Sequence, residues 1–235
     1  MSADPAEDQL AQYLDAARNN EGAFRQDLPV EYRHLRNIDA LFARILDNFD
    51  NPPHIAPAFL FYRCHSAFRS AVRMVMAGQT AESYMPLRGT LEFALYGVYF
   101  WKHPDDWDIW CARNEGPEQR KAVRDKFKVG TLIETAESVD QKQASVAKEL
   151  YDRCIDLGAH PNTTGVWSGI KISETTEDLH VWTSYLTDRD DAHALALRTS
   201  RQVGLCSFAL IGSPFKERIA MLGLWDIHRE LRQGL

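Results

Sequence analysis

Glycine and proline residues divide this 235-residue sequence into segments of helical length, and this division constrains the fold more than any other feature. Within the segments, apolar residues recur every three or four positions, which is the spacing of a helix with one buried face. The dividing positions are Asn51-Pro52-Pro53, Gly78, His103-Pro104, Gly116-Pro117, Gly158 with Pro161, and Gly212-Ser213-Pro214. We therefore predict an all-α, multi-helix bundle of antiparallel helical hairpins.

The same pattern predicts where the helices begin and end. An opening helix is expected to stop at Asn19-Asn20-Glu21-Gly22, and the short connection at Gly78 predicts an antiparallel pair of helices. Two final helices meeting at Gly212-Ser213-Pro214 predict a second pair. After the opening helix, the predicted helices cover residues 30–48, 56–77, 81–101, 105–113, 118–137, 140–157, 190–212 and 214–233.

One stretch departs from helical spacing. Residues 163–186 are rich in β-branched and aromatic side chains on both sides of the polar turn 174–178, and this predicts one β-hairpin inserted at about 165–186. We expect a single helical domain, 1–235. Its expected parts are an N-terminal arm (1–28), a core bundle (30–162), the hairpin (163–187) and a C-terminal helical hairpin (189–233).

Composition narrows the class of protein. A hydrophobic content of 45% and a charged content of 26% are typical of a globular chain, and the net charge of −6 argues against a broad basic surface for nucleic acid. The acidic start lacks the features of a secretory signal, and the apolar stretch 91–101 is too short to cross a bilayer. We expect a cytoplasmic protein without membrane partners.

The four cysteines form no CxxC pair, which favours reduced core thiols and no metal site.

One pair of residues near the end of a predicted helix is suited to chemistry. Arg153 and His160 are seven positions apart, so a continuous helix would place both on nearly the same side, together with Asp156. An arginine neutralises a phosphate, and an imidazole transfers protons near neutral pH. Metal-independent RNA cleavage, in which the 2′-hydroxyl attacks its own phosphate, needs both functions. The alternative is structural, with an Arg153–Asp156 ion pair on the surface and a histidine that caps the helix.

This spacing resembles the signature of the HEPN superfamily, small α-helical domains common in bacterial toxin and abortive-infection systems. The signature is an arginine followed, after four to six residues, by a histidine, and six residues separate Arg153 from His160. Residues 82–92 and 157–162 also resemble a group of uncharacterised bacterial helical proteins of similar layout. The resemblance covers roughly residues 55 to 165.

The resemblance implies a homodimer in which the motif helices of two subunits meet and form one RNA-cleaving cleft. It implies that Arg153 binds phosphate and that His160 transfers a proton, with no metal or other cofactor. Asp156 and Asn162 are the candidate supporting residues beside them. The implied partners are RNA and, for a toxin, an antitoxin protein. The competing hypothesis is a non-catalytic helical binding or interaction module of unidentified ligand.

Three polar residues lie in the otherwise apolar fourth predicted helix. Tyr84, Arg88 and Glu92 follow one another at four-residue intervals, so they share a helix face, and Arg88 and Glu92 are expected to pair. They are candidates either to line the same cleft as Arg153 or to form a buried hydrogen-bonded network that fixes helix register.

The third predicted helix carries three candidate RNA-binding arginines, Arg63, Arg69 and Arg73, around His65. Arg69 and Arg73 are four positions apart and share a face that suits a phosphate backbone. The alternative is an ordinary solvated basic face.

Overall fold

The structure is a computed structural model that describes residues 8–52, 55–161, 163–167, 169–174 and 179–235. Within these ranges the chain forms twelve α-helices and one two-stranded antiparallel sheet. The predicted all-α bundle with a single hairpin insertion is therefore confirmed.

Three long helices form the centre of the bundle. They are α3 (Ile55–Ala77), α4 (Thr80–Lys102) and α10 (Asp191–Ile211), and α2 (Pro29–Leu46) packs across α3 and α10. The helices approach closely where a glycine removes a side chain: a Cβ atom at Gly204 would lie 2.6 Å from Phe68 Cε2. The bounds predicted for α2, α3 and α4 agree with the structure to within two residues.

The first helix, α1 (Gln9–Asp27), continues through the segment where a break was predicted. Tertiary contacts explain the difference, because the Asn20 side chain donates a hydrogen bond to the Ala77 carbonyl and Glu21 pairs with Arg73. Phe24, beyond the predicted break, is 1% exposed in the core. The arm is thus packed on the bundle through its C-terminal half, whereas Leu10 and Leu14 in its first half are 66% and 51% exposed.

The middle of the chain contains shorter helices than predicted. These are α5 (Asp106–Cys111), α6 (Pro117–Lys126), α7 (Val129–Glu137) and α8 (Gln141–Cys154). One continuous helix was predicted over 118–137, but the extended backbone of Lys128 (φ −74°, ψ 146°) separates α6 from α7. This break lets Phe127 enter an aromatic cluster with Tyr96, Tyr99 and Phe100.

After α8 the chain leaves regular helical geometry. Residues Ile155–Ala159 form a π-turn in which Gly158 has φ 150°, and His160 is extended. A short helix, α9 (Thr163–Trp167), then precedes strands β1 (Ile170–Glu174) and β2 (Leu179–Thr183). The hairpin prediction is confirmed, although Val166 and Trp167 lie in α9 rather than in a strand.

The C-terminal pair also differs in detail. A 3₁₀ turn (Ser213–Phe215) leads into α11 (Lys216–Met221), and α12 (Leu224–Leu231) follows. A single helix was predicted over 214–233, and the left-handed backbone of Gly223 (φ 66°) divides it. His228 on α12 is buried against α10, where its Nε2 lies 3.0 Å from the Leu205 carbonyl.

Candidate functional site

Arg153 lies in the last turn of α8 with both ends of its guanidinium engaged. Nη1 donates to Gln202 Oε1 at 2.7 Å, and Nη2 pairs with Glu149 Oε1 at 2.7 Å. Its side chain is 24% exposed. The predicted partner, Asp156, forms no ion pair with Arg153 within the described residues and lies in the π-turn. Arg153 therefore links α8 to α10.

His160 follows the π-turn and is exposed to solvent. Its Nδ1 lies 3.2 Å from the Pro161 carbonyl oxygen. Gly158 lets this turn pack on the start of α4, since a Cβ atom there would lie 2.4 Å from the Ala81 carbonyl oxygen. The prediction that Arg153 and His160 share one helix face is wrong, because regular helix ends at Cys154.

Arg88 and Glu92 on α4 form the predicted ion pair, with Arg88 Nε 2.9 Å from Glu92 Oε1. Tyr151 on α8 donates its hydroxyl to the same carboxylate oxygen at 3.1 Å, and the Arg88 guanidinium lies over the Tyr151 ring. Both charged side chains are about one-third exposed, at 30% and 32%. This network fixes α4 against α8, which is the structural alternative considered for these residues.

Tyr84 lies one turn before Arg88 and is 2% exposed. Burial raises the pKa of Tyr84 to about 12, and the positive charge of Arg153 opposes the increase. Burial likewise raises the pKa of the Cys154 thiol to about 12, against the charges of Arg153 and Arg88. Arg88 and Glu92 contact Tyr151, two positions before Arg153 on α8. These two residues of α4 thus lie near the turn that carries Arg153.

The three candidate RNA-binding arginines on α3 do not form one free basic face. Arg69 makes a bidentate contact with Asp39, with Nε–Oδ1 2.7 Å and Nη2–Oδ2 3.0 Å. Arg73 pairs with Glu21 on α1, while Arg63 lies on another side of the helix, over the Phe93 ring. Carboxylates therefore neutralise two of the three cations. A phosphate backbone would have to displace them.

Asp39 also contacts His65, which sequence reasoning noted only as a neighbour of the arginines. His65 Nε2 lies 2.6 Å from Asp39 Oδ1, and the imidazole is stacked on Phe42. Burial by itself raises the pKa of Asp39, but the hydrogen bonds from His65 and Arg69 outweigh it and hold this pKa well below its usual range. An open groove of about 570 Å³ between α2 and α3 exposes one edge of this cluster.

Other site classes gain no support from the described residues. They contain no group of three or more His, Cys, Asp or Glu side chains that could hold a metal ion. The four cysteines are unpaired, and three are buried as predicted, whereas Cys111 is exposed. None of the described helices combines the length and apolar character needed to cross a membrane. The supporting candidate Asn162 lies outside the described residues.

Sequence reasoning missed Glu149, Gln202 and Tyr151, the residues that hold Arg153 and Glu92 in place. Glu149 carried a local signal, because it precedes Arg153 by four positions on the same helix face. Gln202 carried none, since it lies 49 positions further along the chain.

No protein-family model, curated protein or solved structure matches this chain.

Proposed function

We propose that this protein is a HEPN-like, metal-independent endoribonuclease in which His160 transfers a proton and Arg153 neutralises the phosphate. Such a protein would act as a toxin or defence effector, with RNA as substrate and an antitoxin protein as a candidate partner. The proposal rests on the solvent-exposed imidazole of His160, presented on a turn that packs directly against α4. An exposed imidazole is free to reach a substrate and to exchange protons with it.

The surroundings of Arg153 are consistent with this role. Arg153 is 24% exposed, and Arg88, which lies over the Tyr151 ring of α8, is 30% exposed, so two cations reach the surface near the end of α8. Glu149, which pairs with Arg153, is 70% exposed, and an ion pair with one exposed partner contributes little stability. A phosphate would compete with Glu149 for the outer guanidinium edge, while Gln202 would continue to hold the other edge.

The proposal is tested by incubating the purified protein with end-labelled RNA in EDTA. We expect products with 2′,3′-cyclic phosphate ends, and a loss of at least about 100-fold in the cleavage rate for His160→Ala, the usual contribution of a general acid or base. His103→Ala, which removes another exposed histidine, is the matched control and should cleave at the wild-type rate. Intact RNA, or equal cleavage by His160→Ala, would refute the enzymatic proposal.

A second candidate function is a non-catalytic helical binding or interaction module. The observation that favours it is the engagement of Arg153 by Glu149 and Gln202, which gives the residue a structural role without substrate. Under this hypothesis Arg153→Ala destabilises the fold and His160→Ala changes neither stability nor any RNA processing. Urea denaturation of both variants, beside the cleavage assay, separates the two functions.

A further inference from the structure

Another open groove lies where α1, α2 and α3 meet. Its volume is about 300 Å³, which is the size of a site for a small molecule. We call it the arginine groove, because four of its lining residues are arginines from all three helices. They are Arg25 on α1, Arg36 on α2, and Arg69 and Arg73 on α3.

Between the arginines, the groove is lined by apolar side chains of the core. Leu35 on α2 and Phe68 and Met76 on α3 line it and are buried. The partly buried Tyr32 and Val72 complete this apolar lining. An apolar group of a ligand placed here would leave water, which favours binding in proportion to the area buried.

Two of the four arginines are already paired with carboxylates that also line the groove. Arg69 makes its bidentate contact with Asp39, and Arg73 Nε lies 2.9 Å from Glu21 Oε1. Four guanidinium groups and two carboxylates leave the lining with a net charge of two positive units. This is a local excess in a chain whose net charge is −6.

The positive excess belongs to Arg25 and Arg36, which are both exposed. Neither forms an ion pair within the part of the chain that the structure describes. Arg25 lies over the Tyr32 ring at 5.6 Å, and Arg36 has one long contact, 3.5 Å, with Asn37. A ring contact uses no hydrogen bond, so the N–H donors of Arg25 are available to an oxyanion.

We propose that the arginine groove binds a small aromatic phosphate monoester. The aromatic ring lies against the apolar lining, and the phosphate oxygens accept hydrogen bonds from Arg25 and Arg36. At neutral pH a phosphate monoester carries between about −1.5 and −2 charges, which balances the excess of the lining, whereas a carboxylate carries only one. Guanidinium groups also match phosphate oxygens with paired N–H donors.

The same charges favour a small ligand over an RNA backbone. Successive phosphates of a strand that followed α3 would meet Asp39 beside Arg69 and Glu21 beside Arg73. A single phosphate needs only the two arginines that have no carboxylate partner. This site is separate in its residues from Arg153 and His160, so the inference goes beyond the proposed function and does not depend on RNA cleavage.

The test is isothermal titration of the full-length protein with phenyl phosphate, and with phenol and inorganic phosphate as the two halves of that probe. We expect saturable binding of one phenyl phosphate. Phenol, which lacks the charge, and inorganic phosphate, which lacks the ring, should each bind at least about ten-fold more weakly. The absence of saturable phenyl phosphate binding, or equal affinity for inorganic phosphate, would overturn the proposal.

A pair of double variants tests whether the arginines of the groove carry the binding. Arg25→Gln with Arg36→Gln should weaken phenyl phosphate binding by at least about ten-fold. The matched control, Arg18→Gln with Arg33→Gln, also removes one arginine from α1 and one from α2, but neither residue lines the groove. It should bind as wild type does. Equal weakening in both double variants would show a general effect of net charge and would overturn the assignment to the groove. The comparison of the three probes on wild type remains decisive if a variant fails to fold.

Discussion

The bundle centre and the segment from Ile155 to Thr187 achieve order in different ways. In the centre, α2, α3 and α10 pack buried rings against one another: Phe42 on α2 contacts Phe61, His65 and Phe68 on α3 and Phe208 on α10. The 155–187 segment has an exposed hairpin, and its two ends meet the corner between α3 and α4, through Gly158 on Ala81 and Thr187 on Gly78. The buried core thus lies mostly in the centre, while the segment carries the exposed His160 of the proposed function.

The two regions should therefore respond differently to the same chemical change. Removing apolar atoms from the centre leaves a cavity, whereas removing them from an exposed strand leaves only water in their place. Matched substitutions, one in each region, therefore measure how far stability and function are separated in this chain.

The largest contrast is expected for leucine truncation. Leu91→Ala on α4, where the side chain is 0% exposed, should lower the free energy of unfolding by about 2–5 kcal/mol. Leu179→Ala on β2, where it is 65% exposed, should change it by less than about 0.5 kcal/mol. Urea denaturation at low protein concentration measures both values. Equal losses would show that the hairpin is an integral part of the cooperative fold.

A smaller contrast is expected at two glycines. Gly158→Ala should destabilise the protein by about 1–3 kcal/mol, because its backbone is left-handed in φ and the new Cβ would meet the Ala81 carbonyl oxygen. Gly89→Ala, inside α4 with nothing within 4 Å of the new Cβ, should stabilise it by about 0.5–1 kcal/mol. Thermal unfolding measures whether each substitution raises or lowers the stability of the protein. If both variants gain stability, the π-turn adapts without strain.

The smallest contrast is expected between two aspartate substitutions, Asp39→Asn and a surface control, when the pH is lowered. Because the pKa of Asp39 is depressed in the fold, its contribution is complete above the unfolded value of about 3.9 and is lost as the pH falls below it. Asp39→Asn should therefore cost about 1–2 kcal/mol at pH 7, and the difference from wild type should narrow towards pH 3.

The matched control is Asp152→Asn on the surface of α8, where the carboxylate pairs with exposed Lys148. That substitution should change stability by less than about 0.5 kcal/mol at either pH. A constant difference between Asp39→Asn and wild type from pH 7 to pH 3 would show that the hydrogen bonds of Asp39 do not depend on its ionisation.

Local sequence signals were sufficient for most of the fold. The periodicity and the glycine and proline stops placed α2, α3 and α4, and the β-branched stretch placed the hairpin. The failures occurred where long-range contacts outweigh local preference. Asn19 to Gly22 remain helical because side chains on that turn bond to α3, and Phe127 leaves its helix for a distant aromatic cluster.

The candidate site was less predictable than the fold. The Arg88–Glu92 pair follows from four-residue spacing and was found. Gln202, which binds Arg153, and His65, which binds Asp39, come from other helices and carry no such signal. The seven-residue spacing places Arg153 and His160 on one face only if the helix between them is regular. The π-turn with Gly158 interrupts the helix there, so the prediction fails. Periodicity indicates which face is buried, and tertiary packing decides which side chains meet.

Both ends of the 155–187 segment meet the same corner of the bundle. Gly158 packs on Ala81, while Thr187 donates two hydrogen bonds to the Gly78 carbonyl oxygen, from its amide at 2.8 Å and from its hydroxyl at 3.0 Å. The bundle therefore already holds the two ends of the insertion together, and the conformational entropy of closing a loop there grows only slowly with its length. This corner can accept insertions of very different length, and it is a natural position at which to graft or exchange a foreign peptide.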